Sequence, residues 1–126
     1  MTNHDSDLSA RIAVIRQEYL ARLHNDGLRN LRELRQRFLA TPGDDSLRSD
    51  ILHAAHDMNG SGAVFGCDDV SQGGHRLEDA MRALIKNATE DPADRHGAII
   101  ALIDELDAIC VAAARGLEPA GGGYTS

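Results

Sequence analysis

The chain has 126 residues, a formal net charge of −7 and 42% hydrophobic residues, which suits one domain with one modest core. The acidic balance argues against nucleic acid or an anionic membrane surface as the main partner, because both attract basic proteins. The longest apolar run, residues 108–114, is far too short to span a membrane, and the N-terminus lacks the basic start and apolar stretch of a secretory signal. We therefore expect a cytoplasmic protein.

Two cysteines, Cys67 and Cys110, lie within apolar helical patterns and form no C-x-x-C pair. This spacing favours reduced core residues over a redox or metal role.

Helical periodicity runs along almost the whole chain, and 14 Leu and 18 Ala against 4 Val and no Trp favour helix over sheet. The first apolar stripe advances in steps of three and four and consists of Leu8, Ile12, Ile15, Tyr19 and Leu23. It changes phase at residues 25–27, which predicts either a break between two helices or a kink in one. The pattern then continues to Phe38, and a loop follows over residues 41–46.

Three further helices are predicted after this loop. The first ends at Phe65 and Gly66, since glycine is favoured just beyond a helix C-terminus. The second is expected to have Asp68 as its N-cap. The last begins at Asp91-Pro92, an N-cap followed by proline at the first helical position, and stops at Gly116.

These elements predict an all-α protein, an antiparallel four-helix bundle with an additional N-terminal helix or helix extension. We expect the extension over residues 1–27, the bundle over 28–116 and a flexible, glycine-rich tail over 117–126.

The second of the four bundle helices has an unusual outer face. Its inner positions are Leu47, Ile51, Ala55 and Met58. His53, His56 and Gly60 then share another face of the helix. His56 should therefore point outward, beside a position with no side chain, where a large partner can approach the imidazole closely.

The residues around His56 form a longer pattern, which reads His56-x-Met58-x-Gly60-Ser61, then Phe65-Gly66, then Val70, Gly73, Leu77 and Glu78. This pattern resembles the signature of histidine-containing phosphotransfer (HPt) domains of two-component phosphorelays. The resemblance implies that His56 carries a phosphoryl group between a histidine kinase or receiver-domain aspartate and another receiver domain. It also implies a carrier with no kinase activity, nucleotide site or cofactor of its own, the Mg²⁺ belonging to the partner receiver.

The resemblance also suggests roles for residues near His56. Glu78 is the candidate that accepts a hydrogen bond from the imidazole and so orients it. His75 and Glu78 fall where the related domain of chemotaxis kinases carries a histidine and a glutamate. Asn59 stands where the family usually has lysine, and it can donate a hydrogen bond but adds no charge. Arg76 is the candidate for a replacement cation.

Partner binding is expected on the outer face of the same helix. His53 and Gly60 are predicted to lie at the interface, and Ser61 either joins them or is a small packing residue. The expected partners are receiver domains and a histidine kinase, with no nucleic acid or membrane, and the protein is expected to be a monomer.

Two alternative functions stay open. Because Asn59 lacks the usual charge, the protein can instead be an adaptor that binds a receiver without being phosphorylated. The other alternative is a metal site formed by His53, His56, His75 and Glu78, since histidines and a carboxylate on facing helices can bind zinc.

Overall fold

The computed structural model describes residues 2–87 and 93–116, and these segments are almost entirely helical. The helices are α1 (Thr2–Arg22), α2 (Leu28–Ala40), α3 (Asp45–Val64), α4 (Asp68–Lys86) and α5 (Ala93–Arg115). A π-helical turn, Leu23–Gly27, joins α1 to α2, so these two helices form one continuous stretch. The predicted four-helix bundle with an N-terminal helical extension is confirmed.

The π-helical turn explains the phase change in the apolar pattern. The backbone N–H of Leu28 donates to the carbonyl of Leu23, five residues back. One extra residue in the turn rotates the helix face, so Leu23 and Leu28 are both buried although five positions separate them. The sequence left a break or a kink open at this point, and the structure shows an uninterrupted helix.

The core lies between α2, α3, α4 and α5. Its largest fully buried side chains are Phe38, Leu28, Leu31, Leu47, Ile51, Leu77, Met81, Leu84, Ile99, Ile103, Leu106 and Val70. Burial of each large apolar side chain stabilises the fold by about 1.5–3 kcal/mol. These twelve residues come from all four helices and hold them in one bundle.

The ends of α3 and α4 follow local chemistry. Asp44 is the N-cap of α3, and its carboxylate accepts from the backbone N–H of Leu47 at 3.1 Å. Gly66 ends this helix with a φ of 72°, a left-handed conformation that glycine adopts at little cost. The predicted cap of α4 is wrong, because Cys67 occupies the N-cap position and no side chain caps it. Asp68 is instead the first helical residue, where its negative charge interacts favourably with the positive end of the helix dipole.

The predicted N-cap at Asp91-Pro92 and the tail over 117–126 lie outside the described residues. Within them, Cys67 and Cys110 are buried and unpaired, as the sequence predicted, and burial raises the pKa of Cys110 to about 12. None of the described helices is long and apolar enough to cross a membrane.

The backbones of helices α3 and α4 approach each other closely at two glycines. A Cβ atom on Gly74 would lie 2.7 Å from the backbone nitrogen of Asn59 and 2.8 Å from the carbonyl oxygen of Ala55. A Cβ atom on Gly62 would lie 2.7 Å from the backbone nitrogen of Ser71. The two backbones are therefore in contact, which fixes how side chains of α4 reach the surface of α3.

Candidate functional site

The candidate site is centred on a hydrogen bond between α3 and α4. Nδ1 of His56 lies 2.8 Å from Oε2 of Glu78, and the His56 side chain is 63% exposed whereas that of Glu78 is only 4% exposed. An ionised carboxylate only accepts hydrogen bonds, so Nδ1 carries the proton. In the neutral ring the lone pair then belongs to Nε2, on an imidazole that solvent and partners can reach.

Glu78 reaches His56 because of the glycine one turn earlier in α4. Residues four apart lie on the same helix face, so Gly74 and Glu78 both face α3. The close backbone contact at Gly74 brings the carboxylate under the imidazole while keeping it away from solvent.

Three side chains donate to the buried carboxylate. Besides His56, Arg82 donates from NH2 to Oε2 at 2.7 Å, and Asn59 donates from Nδ2 to Oε1 at 3.4 Å. The longer bond is the weakest of the three. Asn59 is itself fixed by Ser71, whose hydroxyl donates to Oδ1 at 2.8 Å.

These contacts decide the charge of Glu78. Burial by itself raises the pKa of this carboxyl, but the hydrogen bonds from His56 and Asn59 and the positive charge of Arg82 outweigh it, so the pKa is lowered from its ordinary value. Glu78 is therefore ionised at neutral pH, as a partner that accepts from Nδ1 must be.

Arg76, the cation predicted for this site, contacts neither His56 nor Glu78 in the structure. Arg76 is ion-paired with Glu105 of α5, on the side of α4 that faces away from α3. Arg82 is the cation that shares an acceptor oxygen with His56. The sequence contains a signal for it, because residues four apart on a helix are neighbours and Arg82 follows Glu78 at that spacing.

The remaining predicted residues are distributed around this centre. His75 is paired with Asp79, 3.1 Å away, and both side chains are 59% exposed. His53 is exposed and borders a shallow pocket next to Asp50. Ser61 shares a 2.8 Å hydrogen bond with the hydroxyl of Tyr19, so its hydroxyl joins α3 to α1 inside the fold.

Gly60 differs from the two glycines at the helix contact. No atom lies within 4 Å of the position a Cβ would take, so packing does not require glycine there. It leaves open space one helical turn beyond His56.

The four residues of the alternative metal site do not come together in the structure. Within residues 2–87 and 93–116, no three His, Cys, Asp or Glu side chains come together in an arrangement that could hold a metal ion. His56 and Glu78 are in contact, but His75 is engaged by Asp79, so the proposed set of four does not converge.

Comparison with known proteins gives one match. The family model described as Hpt domain matches residues 14–111, a segment that begins inside α1, ends inside α5 and includes every residue of the candidate site. The searches of curated proteins and of solved structures return no match. The matched segment starts before residue 28, and the boundary expected there stays a prediction.

Proposed function

The chain belongs to the Hpt-domain family, and we propose that it carries a phosphoryl group on His56 between a histidine kinase or receiver-domain aspartate and another receiver domain. A phosphotransfer-type role in two-component signalling follows from the family itself. The observation that supports the finer proposal is the exposed imidazole of His56 with its Nδ1 bonded to buried Glu78.

The proposed transfer is an in-line displacement at phosphorus. The lone pair of Nε2 attacks the phosphorus of a receiver's phosphoaspartate, an N–P bond forms, and the P–O bond to the aspartate breaks with its electron pair returning to the carboxylate. Delivery to the next receiver is the reverse reaction. The ring gains positive charge as the N–P bond forms, and the negative charge of Glu78 stabilises it.

The other residues adapt the site to this reaction. The open position at Gly60 lets a receiver bring its phosphorus within about 3–3.5 Å of Nε2, the distance that such steps need. Arg82, 60% exposed at its side chain, provides the positive charge that Asn59 lacks and can contact the phosphoryl oxygens. Asn59 acts through Glu78 and is a positioning residue.

The partners follow from the same chemistry. The sequence has no G-x-x-x-x-G-K-[ST] spacing for a nucleotide loop, so this chain acts as a carrier and the kinase activity belongs to a partner histidine kinase. The Mg²⁺ and the acceptor aspartate belong to the receiver, and the proposed location is the cytoplasm.

Labelling of His56 tests the proposal. A phosphorylated receiver or kinase should transfer its label to the protein, and the product should be acid-labile and base-stable, as a phosphoramidate is. The substitution His56→Gln should abolish labelling and leave helicity unchanged, whereas His53→Gln, on the same exposed face, should label normally.

Two results would overturn the proposal. Labelling of the His56→Gln variant would assign the phosphoryl group to another residue. A wild-type protein that binds receivers without taking label would be an adaptor, the function that the missing lysine charge at Asn59 favours.

A further inference from the structure

The N-terminal helix has an apolar face that the bundle does not cover. Leu8, Ile12 and Ile15 are 57%, 58% and 49% exposed, and helical spacing puts them on the same face as buried Tyr19 and Leu23. The core-facing stripe of α1 therefore continues beyond the bundle into solvent.

This stripe borders an open, mainly apolar groove. Ile12 and Ile15 form one wall, and Val64 and Phe65 at the end of α3 form the other. Among the large apolar residues that the structure describes, Val64 is the most exposed, at 78%. A helix with no packed face is only marginally stable in water, and a contiguous exposed apolar patch marks an interaction site.

We propose that this face pairs with the same face of a second copy of the chain. The two α1 helices run antiparallel about a two-fold axis, and Ile12 of each copy packs against Ile15 of the other. This dimer replaces the monomer expected from the sequence.

The charges that flank the stripe support self-pairing and fix its direction. Arg11 and Glu18 are one heptad apart on the same edge of the stripe, and neither has an ion-pair partner in the described part of the chain. In an antiparallel pair, Arg11 meets Glu18 of the partner subunit, and the symmetry repeats this contact. A parallel pair would instead bring Arg11 against Arg16 of the partner subunit, which is repulsive.

The amount of apolar surface fits a weak dimer. Leu8, Ile12, Ile15 and Val64 of two copies together offer on the order of 1,000 Å², the size at which specific interfaces begin. The chain's own residues 117–126 are a poor alternative cover, since Leu117 and Tyr124 are the only large apolar residues among them.

Sedimentation velocity over a range of concentrations tests the dimer. The wild-type protein should shift from monomer to dimer as its concentration rises, and Ile12→Asp should weaken the association at least about ten-fold. Ile12 is 58% exposed, so this variant should keep its helicity and still be labelled at His56 by a small phosphoramidate donor. His56→Gln should dimerise like wild type, which separates this proposal from the proposed function.

Charge exchange tests the direction of the helices. Arg11→Glu and Glu18→Arg should each weaken self-association, because each places like charges together. An equimolar mixture of the two variants should restore it, since both contacts in the mixed dimer then join opposite charges. A chain carrying both substitutions should also dimerise.

Three results would overturn the proposal. One is a wild-type protein that is monomeric at every concentration. The second is a dimer that Ile12→Asp leaves intact. The third is a mixture of the charge variants that associates no better than either alone. If Ile12→Asp weakens receiver binding while the wild type stays monomeric, the occupant of the groove is the receiver and not a second copy.

Discussion

The α3–α4 pair and the N-terminal half of α1 are opposite kinds of helix surface. At Gly62 and Gly74 the backbones of α3 and α4 touch, and a buried carboxylate lies next to this contact. Along residues 7–18 of α1, every residue is exposed. The first surface has its geometry fixed within the chain, and the second has apolar area that the described part of the chain leaves uncovered.

A similar contrast exists between two glycines, since Gly74 is packed against the backbone of α3 and Gly60 faces open space. Substitution of the packed glycine gives the largest predicted loss of stability. Gly74→Ala places a methyl group against the backbone of Asn59 and Ala55, so α4 must shift away from α3. We expect a loss of about 2–3 kcal/mol in the free energy of unfolding and slower phosphotransfer, because Glu78 moves with its helix. Chemical denaturation and transfer rates measure both quantities.

Gly60→Ala is the matched control for this prediction. The added methyl group meets no atom within 4 Å, and alanine favours helix over glycine, so the free energy of unfolding should rise by about 0.5–1 kcal/mol. Equal destabilisation by the two substitutions would contradict the contrast between a packed and an open glycine.

The second, smaller effect concerns the contribution of the buried Glu78 carboxylate to the stability of the fold. The pKa of Glu78 is lowered in the folded protein from its ordinary value of 4.5, so its ionised form adds stability that is present above that value and lost as pH falls through the lowered pKa. We expect Glu78→Gln to lower the free energy of unfolding by about 1–2 kcal/mol at neutral pH.

The pH dependence of that difference is the decisive part. The difference between wild type and Glu78→Gln should shrink as the pH falls below about 5, where the carboxyl of the unfolded wild-type chain takes up its proton. Denaturation series at several pH values provide the test. A difference that grows as the pH falls below about 5 would mean that the pKa of Glu78 is raised in the native state, and the assignment of the proton to Nδ1 of His56 would then lose its support.

The smallest effect distinguishes the two arginines of α4. Arg82→Gln should shift the equilibrium with a receiver away from phosphorylated His56 by several-fold, since a charge-assisted contact to phosphate is about twice as strong as a neutral one. Arg82→Lys should recover most of the loss. Arg76→Gln, whose guanidinium is bound to Glu105, should leave the equilibrium unchanged, and a larger effect of Arg76→Gln would return the cation role to that residue.

Helical periodicity alone predicted much of the site. An outward His56, an open Gly60 and inner positions at Ala55 and Met58 follow from steps of three and four along α3, and the structure has all of them. The bundle was predictable for the same reason, because each helix has one apolar face and the connections are short.

Tertiary contacts and backbone register were harder to predict. The hydrogen bond from Ser71 to Asn59 joins two helices, and no local pattern indicates it. The π-helical turn at Leu23–Gly27 has no residue signature beyond the phase change. The contact between Arg82 and Glu78 is different, because it could have been predicted from the sequence. The two residues are four apart on one helix, a spacing that makes side chains neighbours.

The central claim is that Glu78 holds the proton of His56 on Nδ1, so that Nε2 takes the phosphoryl group. NMR measurement of the tautomer and of the phosphorylated nitrogen tests this claim most directly. Nitrogen-15 NMR of the free protein should show the proton on Nδ1 of this ring. After phosphorylation by a small phosphoramidate donor, phosphorus–nitrogen coupling should appear at Nε2 of His56 and at none of the other five histidines. A proton on Nε2 in the free protein, or phosphorus bonded to Nδ1 or to another histidine, would contradict the account.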